Sequence, residues 1–232
     1  AILAAASAPL VLGELAPSGA FEEVPDYWQD AIGYINEEGR GRTLLLPGTP
    51  WAEYEWGRPL DEPLQPLSDD AWAVRNIVPL GGLRVTRFMD GIEALLETGR
   101  GSPGLAAALR RSGTEWVLVR NDLDQERTSP PSPTQVRRVL EQSPGLTRVA
   151  AWGPPIVDPL DRRRLGPELV ASSVLRSLEL YRVDREVDPI RLDPADDLVV
   201  AAGAPESTLT LTESGLVDQE PVVLSQDVAN AE

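Results

Sequence analysis

The chain has 232 residues, of which 21 are basic and 37 acidic, and its net charge is −16. That length can bury a sizeable core in one large or two small domains, while the charge disfavours a nucleic-acid partner, because phosphate contacts need a surplus of Lys and Arg. Cys and His are absent, which removes disulfides, thiolate nucleophiles, Cys/His zinc sites and histidine bases and leaves Asp and Glu as the strong general-base candidates.

Residues 1–13, AILAAASAPLVLG, are small and apolar. They are too few to span a bilayer and lack the basic flank of a signal peptide. Residues 1–20 are therefore read as the end of a transmembrane helix or as a buried lead-in. Residues 21–232 form the main α/β region, with a candidate sub-boundary near 155–175.

Pro25–Glu38 predicts a helix, with Trp28, Ile32 and Ile35 on one stripe and Gly39 and Gly41 ending it. Arg42–Leu46 predicts a strand. The run over 47–85 reads as a long loop rich in Trp and Pro, because Pro59, Pro63, Pro66 and Pro79 interrupt regular elements. Amphipathic spacing predicts helices over 87–98 and 103–112. Glu115–Arg120 predicts a strand, with Asn121, Asp122 and Asp124 at its outer end, where α/β sheets place polar groups that contact ligands. A polar loop over 125–134 follows, then a helix over 135–142 that Thr134 is placed to cap, and a strand over 147–152. The segment 158–174 is rich in Arg, and Arg162–Arg164 reads as a solvated basic turn. Strands are predicted over 178–183, 198–202 and 220–224, with a helix near 206–214, so the last forty residues repeat a strand–helix–strand pattern. The expected fold is α/β: a parallel or mixed sheet flanked by helices in a Rossmann-like layered arrangement. The turn at Gly203 lacks the GxGxxG spacing of a dinucleotide site.

The loop carries the candidate chemistry. Glu53, Glu55, Asp61, Glu62, Asp69 and Asp70 lie close to Trp51, Tyr54, Trp56 and Trp72. Paired carboxylates serve glycoside hydrolysis or hold calcium, although the spacing matches no EF-hand. Aromatic rings beside carboxylates and Arg also suit sugar, with rings on C–H faces and polar groups on hydroxyls. The candidate substrate-binding residues are Trp51, Tyr54, Trp56, Arg58, Asp61, Glu62, Asn121, Asp122 and Asp124. The bland alternatives are a solvated acidic face over packed Trp rings, an Asx turn after the strand, and structural ion pairs made by Arg75 and Arg120.

PDYW at 25–28, GRTLLLPG at 41–48, WAEYEWGRPLDEPLQPL at 51–67, WAVRN at 72–76, GSPGLAAAL at 101–109 and VLVRNDLD at 117–124 resemble the extracytoplasmic soluble region of the actinobacterial AftD arabinofuranosyltransferase family. The likeness continues through 201–216 and 221–227 and is least distinctive over 125–195. It implies a polytopic membrane enzyme of GT-C type that adds α-(1→3)-linked arabinofuranose to cell-wall arabinan from decaprenyl-phosphate-arabinose, with a divalent cation as a further expectation for the parent. It also implies an extracytoplasmic location, a transmembrane catalytic core as partner and a glycan acceptor. No residue here inherits a catalytic role by motif. The expectation is a chain that holds no cofactor, is inactive alone, and scaffolds the enzyme or orients the acceptor. The competing readings are a free-standing carbohydrate-active hydrolase that uses the loop carboxylates and a purely structural α/β domain.

Overall fold

A computed structural model describes residues 19–77, 82–158, 174–184, 192–217 and 220–228. The apolar start over 1–13 and the Arg162–Arg164 turn lie outside the described residues.

Helix α1 (Asp26–Glu38) buries Trp28, Ala31, Ile32 and Ile35, the stripe that its spacing predicts. Gly39 closes it by donating its N–H to the Ile35 carbonyl at 2.7 Å. The chain then enters β1 (Arg42–Leu46). The predicted loop holds four short elements instead: β2 (Ala52–Tyr54) and β3 (Gly57–Leu60) form a hairpin, α2 (Leu64–Leu67) follows, and β4 (Trp72–Val74) pairs in parallel with β1. Each is too short to show a period. Pro59 is tolerated because β3 belongs to a two-stranded ribbon, where an edge needs no N–H from it.

Helix α3 (Leu83–Thr98) begins four residues before its predicted start and ends at Gly99, whose φ of 66° is the left-handed stop. Helix α4 (Leu105–Arg111) leads to β5 (Thr114–Arg120), in which every residue is buried. The polar loop after it contains one turn of helix, α5 (Gln125–Thr128). Helix α6 (Pro133–Glu141) is capped by Ser132 and not by Thr134: Gln135 donates its N–H to Ser132 Oγ at 3.3 Å. Strand β6 (Leu146–Ile156) runs past its predicted end, because a register shift between Trp152 and Pro155 absorbs Gly153 and the two prolines. Strand β7 (Leu175–Val183) completes the main sheet.

That sheet has the order β4-β1-β5-β7-β6. The first three strands are parallel and the last two antiparallel, so the sheet is mixed. Helices cover both faces. Leu44, Leu46, Val117, Val119, Tyr181 and Val183 pack under α3, α4 and α6, whereas Leu45, Trp116, Leu118, Leu178 and Leu180 pack with α1 and the hairpin. The period-two alternation of each strand divides these two cores.

The strand–helix–strand pattern at the end forms β8 (Val199–Ala201), α7 (Ser207–Glu213) and β9 (Val222–Leu224), followed by α8 (Ser225–Val228). The two strands pair in parallel as a separate sheet. Composition suggests a buried β8, yet Val200 is exposed, in a sheet that has two strands among the described residues. Helix α7 docks on α4 at Gly104: Thr212 Oγ1 donates to the Gly104 carbonyl at 2.9 Å, and a Cβ at Gly104 would lie 2.3 Å from the Glu213 nitrogen. Among the described residues no helix is long and apolar enough to cross a membrane.

Gly104→Ala is therefore expected to push α7 off α4 without unfolding the main sheet. Hydrogen exchange should show lost amide protection over 207–213 and unchanged protection in β1 and β5.

Candidate functional site

Strands β1 and β5 are parallel neighbours, and their carboxyl ends deliver Pro47–Thr49 and Asn121–Asp124 to one edge of the sheet. This is where open α/β sheets leave a crevice for ligand. Here the crevice is filled by protein. Arg120, the last residue of β5, is buried and donates to the Pro47 carbonyl from Nε at 3.1 Å and from Nη2 at 2.9 Å. Nη2 also reaches Thr49 Oγ1 at 3.0 Å. Nη1 donates to Tyr54 Oη at 3.1 Å and to the two Glu62 oxygens at 2.6 and 2.5 Å. The Tyr54 hydroxyl donates to Glu62 Oε2 at 2.6 Å. Burial by itself would lower the Arg120 pKa, but the Glu62 carboxylate and Tyr54 reverse this and hold the guanidinium above its ordinary value. Burial raises Tyr54 well above the usual phenol range, so it stays a donor.

Two residues on, Asp122 is the second centre. Its Oδ2 accepts from the Tyr27 hydroxyl at 2.8 Å, Trp28 Nε1 at 3.0 Å and Trp56 Nε1 at 3.1 Å. Its Oδ1 is buried with no hydrogen-bond partner among the described residues. Burial pushes the carboxyl up to about 6, against the pull of the aromatic donors. The Tyr54 and Trp56 rings stack with centroids 4.9 Å apart, and Trp28 meets Tyr54 edge-on at 5.3 Å. Backbone bonds tie the hairpin to the exit of β5: Glu55 N–H donates to the Asp122 carbonyl at 2.8 Å, and Asp124 N–H to the Glu53 carbonyl at 3.0 Å.

Of the nine candidate residues, Tyr54, Glu62 and Asp122 thus come together beneath the surface, with the half-buried Trp56 against them. Asn121 is buried and donates from Nδ2 to the Arg176 carbonyl at 2.8 Å. Asp124 caps α5 and pairs with Arg127 at 3.1 Å. Arg58 pairs with Glu53 at 2.8 Å, and Trp51 and Asp61 are exposed on the rim. Arg75 pairs with Asp90 and Arg120 with Glu62, so neither arginine meets the acids that follow β5. Near that edge the Gly48 N–H donates to Glu93 Oε1 at 2.8 Å, and burial raises Glu93 to about 7. Sequence reasoning gave Tyr27 and Trp28 only a packing role; their ring donors carry no periodic signal. With Glu53, Glu62 and Asp122 each held by protein donors, the open pair of acids that a hydrolase needs is not formed by these three. Among the described residues no cluster of three or more acids is placed to hold a metal ion.

Comparison with known proteins gives a consistent picture. A family model described as alpha-(1->3)-arabinofuranosyltransferase, N-terminal GT-C domain, matches residues 1–232. An alpha-(1->3)-arabinofuranosyltransferase of Mycolicibacterium smegmatis is 38% identical over 238 residues, and one of Mycobacterium tuberculosis is 37% identical over 221. These alignments take in 94% and 90% of this chain but only 16% and 15% of the relatives. A cryo-EM structure of mycobacterial arabinofuranosyltransferase AftD superposes with a TM-score of 0.82 at 32% identity, covering 99% of this chain and 18% of that one. A mutant of that enzyme gives 0.80 at the same identity.

Glu62→Gln should destabilise the chain by about 3–5 kcal/mol, because it strands a buried guanidinium, and Glu62→Leu with Arg120→Met should recover much of that loss. Urea unfolding followed by Trp fluorescence measures both. Asp122 holds its proton more tightly folded than unfolded. Its contribution is therefore complete below about pH 4 and lost as pH rises through about 6, a change of about 3 kcal/mol. Urea midpoints at pH 4, 5, 6 and 7 should fall less for Asp122→Asn than for the wild type. Glu93→Gln should remove the part of the fall nearest pH 7.

Proposed function

Because the chain belongs to the N-terminal GT-C domain family of alpha-(1->3)-arabinofuranosyltransferases, we propose that it is a non-catalytic α/β scaffold on the extracytoplasmic face of such an enzyme. The observation that carries this reading is the filled crevice. Arg120, Glu62, Tyr54, Thr49 and the Pro47 carbonyl occupy the position where the fold would receive a ligand. A buried, fully paired ion cluster fixes the relative placement of β1, β5 and the hairpin, which is what a scaffold requires, and it presents no free acid to a reacting sugar.

In this reading the chemistry belongs to the remainder of the parent enzyme, of which this chain is a small part. That remainder includes the transmembrane core, the decaprenyl-phosphate-arabinose donor, any divalent cation, and the transfer of arabinofuranose to arabinan. A second role, orienting the glycan acceptor, is favoured by one observation: Trp51 is exposed beside the hairpin that also carries Arg58 and Asp61.

The test is an arabinose-transfer assay together with titration by α-linked oligoarabinofuranosides, read by amide NMR. The expected outcome is no transfer and no saturable shift at Glu62, Arg120 or Asp122. Transfer by the chain alone, or saturable shifts at those buried residues, would overturn the scaffold reading. Saturable shifts confined to Trp51, Arg58 and Asp61, lost in Trp51→Ala, would add the acceptor-orienting role.

A further inference from the structure

Helix α6 and strand β7 carry a polar cluster that the filled crevice and the aromatic network leave unused. Glu179, in the middle of β7, is wholly buried, and its Oε1 accepts from Arg148 Nη1 of β6 at 2.9 Å and from Arg137 Nη2 of α6. An apolar side chain of similar volume would hold that strand at least as well. What the acid adds is a fixed place for the two arginines. Its other oxygen, Oε2, has no hydrogen-bond partner among the described residues, and neither do Arg137 Nε and the hydroxyl of Tyr181. Tyr181 stands two residues from Glu179 on the same face of β7. Burial and the charges of Glu179 and Glu141 raise it above the usual phenol range, so its hydroxyl keeps its proton. Unpaired buried groups are rare in folded proteins, and here three gather on one helix and one strand.

Arg137 connects this cluster to the surface. With Thr134, Arg138, Glu141 and Gln142 it lines a cavity of about 220 Å³. These residues are spaced three and four apart, so they share one face of α6. The volume is that of several water molecules at about 30 Å³ each, which admits a larger guest than one water. Arg137 Nε is 3.7 Å from Glu141 Oε1, too far for a hydrogen bond. Arg138 is exposed and joins no ion pair among the described residues.

The charges on these walls decide what fits. A phosphate would meet Glu141 at the carboxyl end of α6, the negative end of the helix dipole. A cation would meet Arg137 and Arg138. A neutral molecule rich in hydroxyls suits both signs, because each hydroxyl accepts from a guanidinium or donates to a carboxylate. We propose that this cavity binds one ring of a saccharide, with Arg137 and Arg138 donating to its hydroxyls and Glu141 accepting from one. For the kind of sugar the proposal rests on the acceptor-orienting role above. It adds a contact on the face of the sheet opposite the hairpin.

The experiment titrates the 232-residue chain with methyl α-arabinofuranoside, and separately with inorganic phosphate at constant ionic strength, and follows amide NMR shifts. The sugar is expected to give saturable shifts over 134–142, and phosphate none. Arg138→Ala and Glu141→Ala should each weaken sugar binding about ten-fold, the loss of one charged hydrogen bond. Both side chains are exposed, so the melting temperature should not change. Sugar shifts absent from 134–142, or present there and unchanged in both variants, would overturn the proposal. So would saturation by phosphate that Glu141→Ala strengthens, since the cavity would then be an anion site. Shifts confined to Trp51, Arg58 and Asp61 would overturn it and leave the acceptor-orienting role to the hairpin. The scaffold reading is tested separately, at Glu62, Arg120 and Asp122.

Discussion

A guanidinium with no access to water organises the carboxyl edge of this sheet. Arg120 ends a strand whose every residue is buried, so its charge must be met by protein oxygens or the strand could not sit there. Those oxygens come from three separate places: the Pro47 carbonyl and Thr49 after β1, Tyr54 in the hairpin, and Glu62 beyond it. Satisfying one charge therefore fixes the exit of β1, the tilt of the hairpin and the turn into α2. The same demand fills the crevice in which an α/β sheet of this order would otherwise receive a ligand.

Asp122 sets a second constraint, opposite in sign and different in kind. Its partners are neutral ring donors, three of them on one oxygen, while the other oxygen has none among the described residues. Neutral donors stabilise a carboxylate less than a cation does, so burial wins and the carboxyl titrates near 6. The arrangement joins α1 to the hairpin across the exit of β5, because Tyr27 and Trp28 come from one and Trp56 from the other. Two buried acids far apart in the sequence are thus met in different ways: Glu62 by a full charge and Asp122 by dipoles.

The family relationship gives these constraints a setting. The chain aligns over nearly its whole length with relatives of which it forms about a sixth, and its fold is retained at 32% identity. In the proposed scaffold role, a sheet packed on both faces suits the holding of position.

Length and alternation made much of this legible from sequence alone. The stripe Trp28–Ile32–Ile35 is long enough to declare α1, and the apolar runs of β1, β5 and β7 declare buried strands and hence a layered α/β sheet. The resemblance in the Trp-rich run fixed the family. The run over 47–85 read as a loop because β2, β3 and β4 are three or four residues each and interrupted by proline, below the length at which a period can be seen. The candidate acids were visible as residue types, but their use was not. Glu62 and Arg120 are 58 positions apart, and Tyr27 and Asp122 are 95 apart. Sequence determines which groups are available and which segments have a buried face. Only tertiary structure decides which charge meets which partner out of water, because burial and pairing are properties of positions brought together by the fold.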